Sequence, residues 1–281
     1  MRARRTLLVA AIAVIALAVG AGSLLTRRHT SQPTLPSSAD ARVRQALFEE
    51  IQPVEVTNCD LERFGEAHDG GYLLCANLLG AAKAGYSYGI SGYDGWGCEL
   101  SKRFEIAVHE YDCFDLRAPD CAGGKTVFHG ECVGTRKEQQ DGRPFDSIAG
   151  QFATNGDDAR SVIMKMDVEG AEWDAFLLSP DSVFQHIDQL VVEFHHVEDP
   201  KFVATIQRLK RFFDIAHVHY NNFSCDPKMQ PFPSWAFEVL FVSKRIAHSN
   251  DVPASATSTL DAPNNPNAPD CQAPAQSSGI L

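Results

Sequence analysis

The sequence lacks a basic surface: 25 lysines and arginines stand against 36 aspartates and glutamates, for a formal net charge of -11. Nucleic-acid binders carry a basic stripe, so that class of partner is excluded. The pairs Lys210-Arg211 and Lys244-Arg245 lie beside apolar periodic segments and read as solvated edges of a helix and a strand. There is no Cys-x-x-Cys pair and no close Cys/His quartet, which argues against a structural zinc site. G-x-G-x-x-G and the Lys-Ser/Thr of a P-loop are missing, so neither common phosphate-binding fingerprint applies. No internal repeat is present. With 281 residues and 44% hydrophobic content, one sizeable core with appendages is expected, and two globular domains would be crowded.

Charge is also missing from Thr6 to Leu25, a run about the length of a bilayer-crossing helix, between Met1-Arg-Ala-Arg-Arg5 and Arg27-Arg28. It reads as a transmembrane signal anchor or, if cleaved, a signal peptide. Residues 1–5 then form a basic segment and 26–45 a stem rich in Ser, Thr, Pro and Gln, with Ser38 capping a helix through Val43, Leu47 and Ile51. The main domain is expected over 46–247. Residues 248–281, nearly free of large apolar side chains, are expected to be a disordered tail.

Eight cysteines (59, 75, 98, 113, 121, 132, 225 and 271) follow the apolar run. That even number favours an oxidising compartment and a lumenal or extracytoplasmic domain, secreted if the leader is removed. Connectivity stays open, and Cys113 and Cys132 also read as small buried apolar residues. Asn222-Phe-Ser224 is a glycosylation sequon compatible with such a location.

Short apolar runs alternate with helical periodicity, the pattern of an α/β fold with a parallel sheet covered on both faces. Strands are expected at 85–90, 106–111, 125–133, 189–194, 214–220 and 237–242, and helices at 96–104, 145–152 and 171–178. Phe202, Ile206, Leu209 and Phe213 recur at helical spacing. The central strand is Val162 to Met166, which ends in Asp167-Val-Glu169-Gly170-Ala-Glu172-Trp173. Ligands in open α/β sheets collect at the carboxyl ends of strands, which makes Asp167 and Glu169 candidates for chemistry. Glu169 and Glu172 also suit the positive end of the helix that follows.

Gly89-Ile-Ser-Gly92 ends the first strand of this pattern and lets backbone approach a cofactor. Asp112 ends the next, at the offset where nucleoside-binding folds place a carboxylate on ribose hydroxyls; Asp115 is the alternative. Glu193, His195 and His196 follow the strand beside Asp167, and a histidine there can act as general base. Alternatively, Asp167, Glu169 and His195 could hold a divalent cation that acidifies an acceptor oxygen.

Several stretches, in family order from about residue 55 to 246, resemble the FkbM-like and methyltransferase-like 24 branch of the class I S-adenosylmethionine-dependent methyltransferases. They are Asp69-Gly-Gly-Tyr72, Tyr88-Gly-Ile90, Val108-His-Glu-Tyr-Asp112, Val127-Phe-His-Gly130 with Val133-Gly134, Lys165-Met-Asp167-Val-Glu-Gly-Ala-Glu172-Trp173, Gln189-Leu-Val-Val-Glu193-Phe-His195 and Phe237-Glu-Val-Leu-Phe-Val-Ser-Lys244. The resemblance implies a single doubly wound, mostly parallel seven-stranded sheet of the Rossmann-like methyltransferase type. It implies that Gly89, Ile90 and Gly92 approach the methionine part of S-adenosylmethionine, that Asp112 binds its ribose, and that Asp167 lies beside the reactive methyl. The catalytic set is then Asp167, Glu193 and His195, acting on a hydroxyl of a glycan or small molecule. Two other readings compete: a membrane-anchored metal-dependent glycosyltransferase or hydrolase, and a catalytically inactive methyltransferase fold used as a binding module.

Overall fold

The computed structural model describes residues 38–255 and 257–271. The run from Thr6 to Leu25, its basic flanks and the first part of the stem lie outside the described residues. Among those described, no helix is long and apolar enough to cross a membrane.

Helix α1 (Ser38–Glu50) is followed by strands β1 (Val54–Val56), β2 (Leu61–Gly65), β3 (Gly71–Cys75) and β4 (Ala84–Tyr88). Helix α2 (Gly95–Phe104) leads to β5 (Ala107–Tyr111) and β6 (Lys125–His129). Three short strands, β7 (Cys132–Gly134), β8 (Glu138–Gln140) and β9 (Arg143–Ser147), precede α3 (Ile148–Asn155). Next come β10 (Val162–Met166), α4 (Glu172–Leu178), α5 (Asp181–His186) and β11 (Ile187–His195). Helix α6 (Pro200–Leu209) and strands β12 (Phe213–Tyr220), β13 (Ala236–Ser243) and β14 (Ser249–Pro253) complete the order.

Seven strands form one sheet in the order β12-β13-β11-β10-β4-β5-β6. From β11 to β6 every pairing is parallel, and β13 runs antiparallel to both β11 and β12. This is a doubly wound, mostly parallel α/β sheet of Rossmann-like type. Strand β10 shows why its sequence has no polar alternation: all five residues are buried. Val162, Met164 and Met166 pack into one core with Leu47 of α1, Phe152 of α3, Trp173 of α4 and Ile206 of α6. Ile163 faces the other core, with Trp96 and Leu100 of α2 and Leu74 of β3. Water reaches neither face, so both are mainly apolar, with Lys165 a buried exception near the strand's end.

Several expectations need correction. The strand expected over 125–133 is broken at Gly130-Glu131 into β6 and β7. The helix expected from Phe145 begins only at Ile148, where the Ser147 hydroxyl accepts from the Gly150 N–H at 3.1 Å. The hairpin of β2 and β3 had no counterpart in the periodicity; its strands are short and one is wholly buried. The stem assigned to 26–45 overlaps α1, whose Arg44 is buried and pairs with Glu198. Charge complementarity across 154 residues is invisible to a composition window.

The disordered-tail expectation is likewise overturned for 248–255 and 257–271. Strand β14 pairs antiparallel with β1, and the residues after it form a strap across β12 and β13. His217 meets Asp261 at 2.9 Å, His219 meets Asp270 at 2.9 Å, and Asn264 is buried between Glu238 and Asp69. The strap is held by polar partners distant in sequence rather than by apolar burial of its own, which is why its composition reads as disorder. Residues 272–281 lie outside the described set.

All eight cysteines are paired, as Cys59–Cys75, Cys98–Cys121, Cys113–Cys132 and Cys225–Cys271. Cys113 and Cys132 are therefore bonded rather than merely apolar filler. Four disulfides accord with maturation in an oxidising environment.

Candidate active site

The turn after β4 is shaped by crowding. Gly89 has φ +73°, and a Cβ there would meet the Asp167 carbonyl oxygen at 1.6 Å. Only glycine lets the ends of β4 and β10 approach this closely. The acid after β5 ties the turn in place: Asp112 Oδ2 accepts from the Ser91 N–H at 2.8 Å, while Oδ1 accepts from those of Phe114 and Asp115 at 2.8 and 3.0 Å.

These turns wall a cavity of about 240 Å³, lined by Tyr88, Gly89, Ser91, Tyr111, Asp112, Glu131, Asp167 and Glu169 among others. Of the residues expected to contact a cofactor, Gly89 and Asp112 line it. Ile90 is buried and Gly92 faces Asp115 and Arg117, and neither is part of the lining. The buried Tyr88 hydroxyl has no hydrogen-bond partner among the described residues, and its ring stacks on Tyr111 at 4.9 Å.

A second cavity of about 220 Å³ is lined by Asp69, Asp167, Glu169, Glu193, His195, Asn221, Trp235 and others. Asp167 and Glu169 line both cavities and so form their common wall. Tyr72 donates to Asp167 Oδ2 at 3.1 Å, and Lys165 Nζ lies 3.8 Å from the same oxygen while donating to the Gly89 carbonyl at 3.0 Å. Burial raises the Asp167 pKa, with the charges of Lys165 and His195 pulling the other way. Burial and the neighbouring Asp167 and Glu238 charges push Glu193 well above the usual carboxylate range. Glu193 Oε1 accepts from Asn221 at 2.7 Å.

His195 is oriented from behind. Glu172, fully buried, accepts from the His195 backbone N–H at 2.8 Å and sits 3.3 Å from Nδ1, while its other oxygen accepts from Gly170 at 2.9 Å. Burial opposes protonation of His195, but the hydrogen bond to Glu172 and the charges of Glu172, Glu193 and Asp167 outweigh it and raise the pKa to about 9. Those carboxylates favour the protonated ring, a different setting from the neutral base expected of it. His196, the other histidine weighed for that role, has φ +71°, stacks on Trp235 and lines a neighbouring cavity with Glu198 and Asp226 instead.

The expected metal set, Asp167, Glu169 and His195, is only partly assembled. Donor atoms of Asp167, Glu193 and His195 come within 4.8 Å of one another, whereas the Glu169 side chain is 84% exposed with Oε2 3.5 Å from His195 Nε2. Ser91, Glu169 and His196 are non-glycine residues at positive φ, following β4, β10 and β11 in turn. Strain of this kind clusters at functional sites.

Sequence reasoning missed Ser91, Tyr88, Tyr111, Glu131, Asn221 and Trp235 as cavity residues. Gly130, which breaks the strand before Glu131, was the available signal for that acid. Asn221 and Trp235 lie in the connection between the last two strands read from periodicity, and nothing in their spacing marks them.

No protein-family profile matches the chain, and no curated protein matches it. Among solved structures, the chain is similar to the methyltransferase FkbM from Methylobacillus flagellatus KT, at 16% identity and a TM-score of 0.40. The match covers 57% of this chain and 44% of that protein, so the chain spans less than half of its length.

Proposed function

We propose that the protein is an S-adenosylmethionine-dependent methyltransferase acting on a hydroxyl of a glycan or small molecule. The observation that carries this reading is the wall shared by two cavities: Asp167 and Glu169 face both, so a donor in one and an acceptor in the other would meet there. The donor cavity is lined by Asp112, Glu131, Asp167 and Glu169, with no Lys or Arg among its lining residues. That field suits a ligand bearing sulfonium and ammonium charges and disfavours the diphosphate of a sugar nucleotide. The unsatisfied Tyr88 hydroxyl offers a polar contact to an incoming ligand.

Bound there, S-adenosylmethionine would supply an electrophilic methyl group on a positively charged sulfur. Gly89 would allow close backbone approach, with Ile90 and Gly92 supporting the turn from outside the cavity. Asp112 would reach the ribose while its backbone bonds hold the Ser91 turn. Asp167 would take the proton that the acceptor hydroxyl loses, with His195 positioned beside the carboxylate and Glu193 completing the acceptor pocket. Aligning acceptor and donor is the main requirement of such a transfer. Partly exposed Trp235 beside Asn221 and Asp69 supplies an aromatic face and polar partners suited to a sugar ring.

Calorimetry on the full chain tests the reading. Saturable S-adenosylmethionine binding, lost in Asp112→Ala, is expected; no binding, or binding indifferent to that substitution, would rule it out. The four disulfides support placing the domain in a lumenal or extracytoplasmic compartment, held by the Thr6 to Leu25 segment as an anchor. Protease protection in sealed membranes would decide that placement.

A further inference from the structure

Asp167, Glu193 and His195 converge from the ends of two adjacent parallel strands, with one donor atom of each within 4.8 Å of the others. Each is held from outside the cluster: Asp167 by the Tyr72 hydroxyl, Glu193 by the Asn221 amide and His195 by Glu172. The decisive atom is His195 Nε2. The residue is 4% exposed, and its Nε2 is turned into a ring of carboxylate oxygens. It faces Glu169 Oε2 at 3.5 Å, Glu193 Oε1 at 3.8 Å and Asp167 Oδ1 at 3.9 Å. A buried imidazole with one nitrogen held by a carboxylate and the other directed among further carboxylate oxygens is the arrangement of metal-bound histidines.

We infer that Asp167, Glu193 and His195 bind one divalent cation on the floor of the acceptor cavity. Donor atoms about 2.0–2.2 Å from an ion lie no more than about 4.4 Å apart, so small side-chain rotations close the present spacing. Two carboxylates and an imidazole suit a cation of intermediate character such as Mn²⁺ or Zn²⁺. Three protein ligands leave positions facing the cavity for water or an acceptor oxygen. The site itself stands apart from the methyltransferase reading, whereas a part in positioning the acceptor rests on that reading. Glu193 takes the place that the spacing of the sequence assigned to Glu169, which lies at the rim.

Mn²⁺ titration of the metal-stripped full chain, followed by the electron paramagnetic resonance of free ion and by thermal melting, tests the inference. One saturable Mn²⁺ per chain is expected, with a raised melting temperature, at least tenfold weaker binding in Glu193→Gln and loss in His195→Ala. Absence of saturable binding in the native chain overturns it, as does binding unchanged in both variants. Melting without metal shows that each variant is folded, and Glu193→Gln keeps the volume of the side chain. Parallel S-adenosylmethionine titrations separate the two readings: cofactor binding without Mn²⁺ binding overturns the cation site alone, and Mn²⁺ binding without cofactor binding upholds the site and counts against the transferase.

Discussion

The backbone oxygen of Asp167 lies 1.6 Å from where a Cβ on Gly89 would sit. The turn that shapes the donor cavity and the acid that faces the acceptor are thus packed as one unit, and neither can move without the other. Gly89→Ala should cost at least about 2 kcal/mol, because the positive φ is strained for alanine and the added carbon must displace β10. A thermal melt should show the loss, and S-adenosylmethionine binding should fall with it.

Asp112 spends both oxygens on three backbone N–H groups of the two turns that flank the donor cavity. An asparagine has one acceptor oxygen and no charge, so Asp112→Asn should leave at least one of those donors unpaired and loosen the Ser91 turn. Cofactor affinity should weaken about tenfold or more, which corresponds to about 1.4 kcal/mol. Calorimetry reads that change, and unchanged affinity would count against the assignment.

Glu172, which the sequence marks as suited to a helix start, also holds His195 and raises its pKa. Replacing it with glutamine keeps a hydrogen-bonding group beside Nδ1 and removes the charge, so the His195 pKa should fall from about 9 toward the ordinary 6.5. An NMR titration of the imidazole in metal-free buffer measures it directly.

The strap gives stability a pH dependence. Burial opposes protonation of His219, but Glu238 and Asp270 overcome it and raise the pKa to about 9, above the 6.5 of an unperturbed histidine. A group with a raised folded pKa stabilises fully below the unfolded value, and the contribution is lost as pH rises through the folded one. The melting temperature should therefore decline between about pH 6.5 and 9, and His219→Gln should flatten that part of the profile.

Asn222, the sequon residue, is buried, and its amide donates to the Asn265, Ala268 and Pro269 carbonyls while its oxygen accepts from the Asn265 N–H. A glycan on this nitrogen cannot coexist with the seated strap. Mass spectrometry of folded protein from a glycosylating host should find Asn222 unmodified. Asn222→Ala should destabilise by about 1–3 kcal/mol, because buried strap groups lose their partners.

By itself the sequence determined the alternation of strands and helices, and with it the sheet, because strands buried on both faces must be continuously apolar and the glycines and acids that end them are local signals. Asp167, Gly89 and Asp112 were legible on those grounds, each standing directly after a parallel strand. Tertiary structure alone decided which acids meet. Periodicity places Glu169 two residues from Asp167, but the exposed turn at positive φ carries it to the rim, while Glu193 arrives from the adjacent strand by sheet register. It also decided that Glu172 serves His195, that Cys225 finds Cys271, and that a polar C-terminal segment is a strap. Each of those pairings depends on contacts between residues far apart in the chain, where no local period or composition carries information.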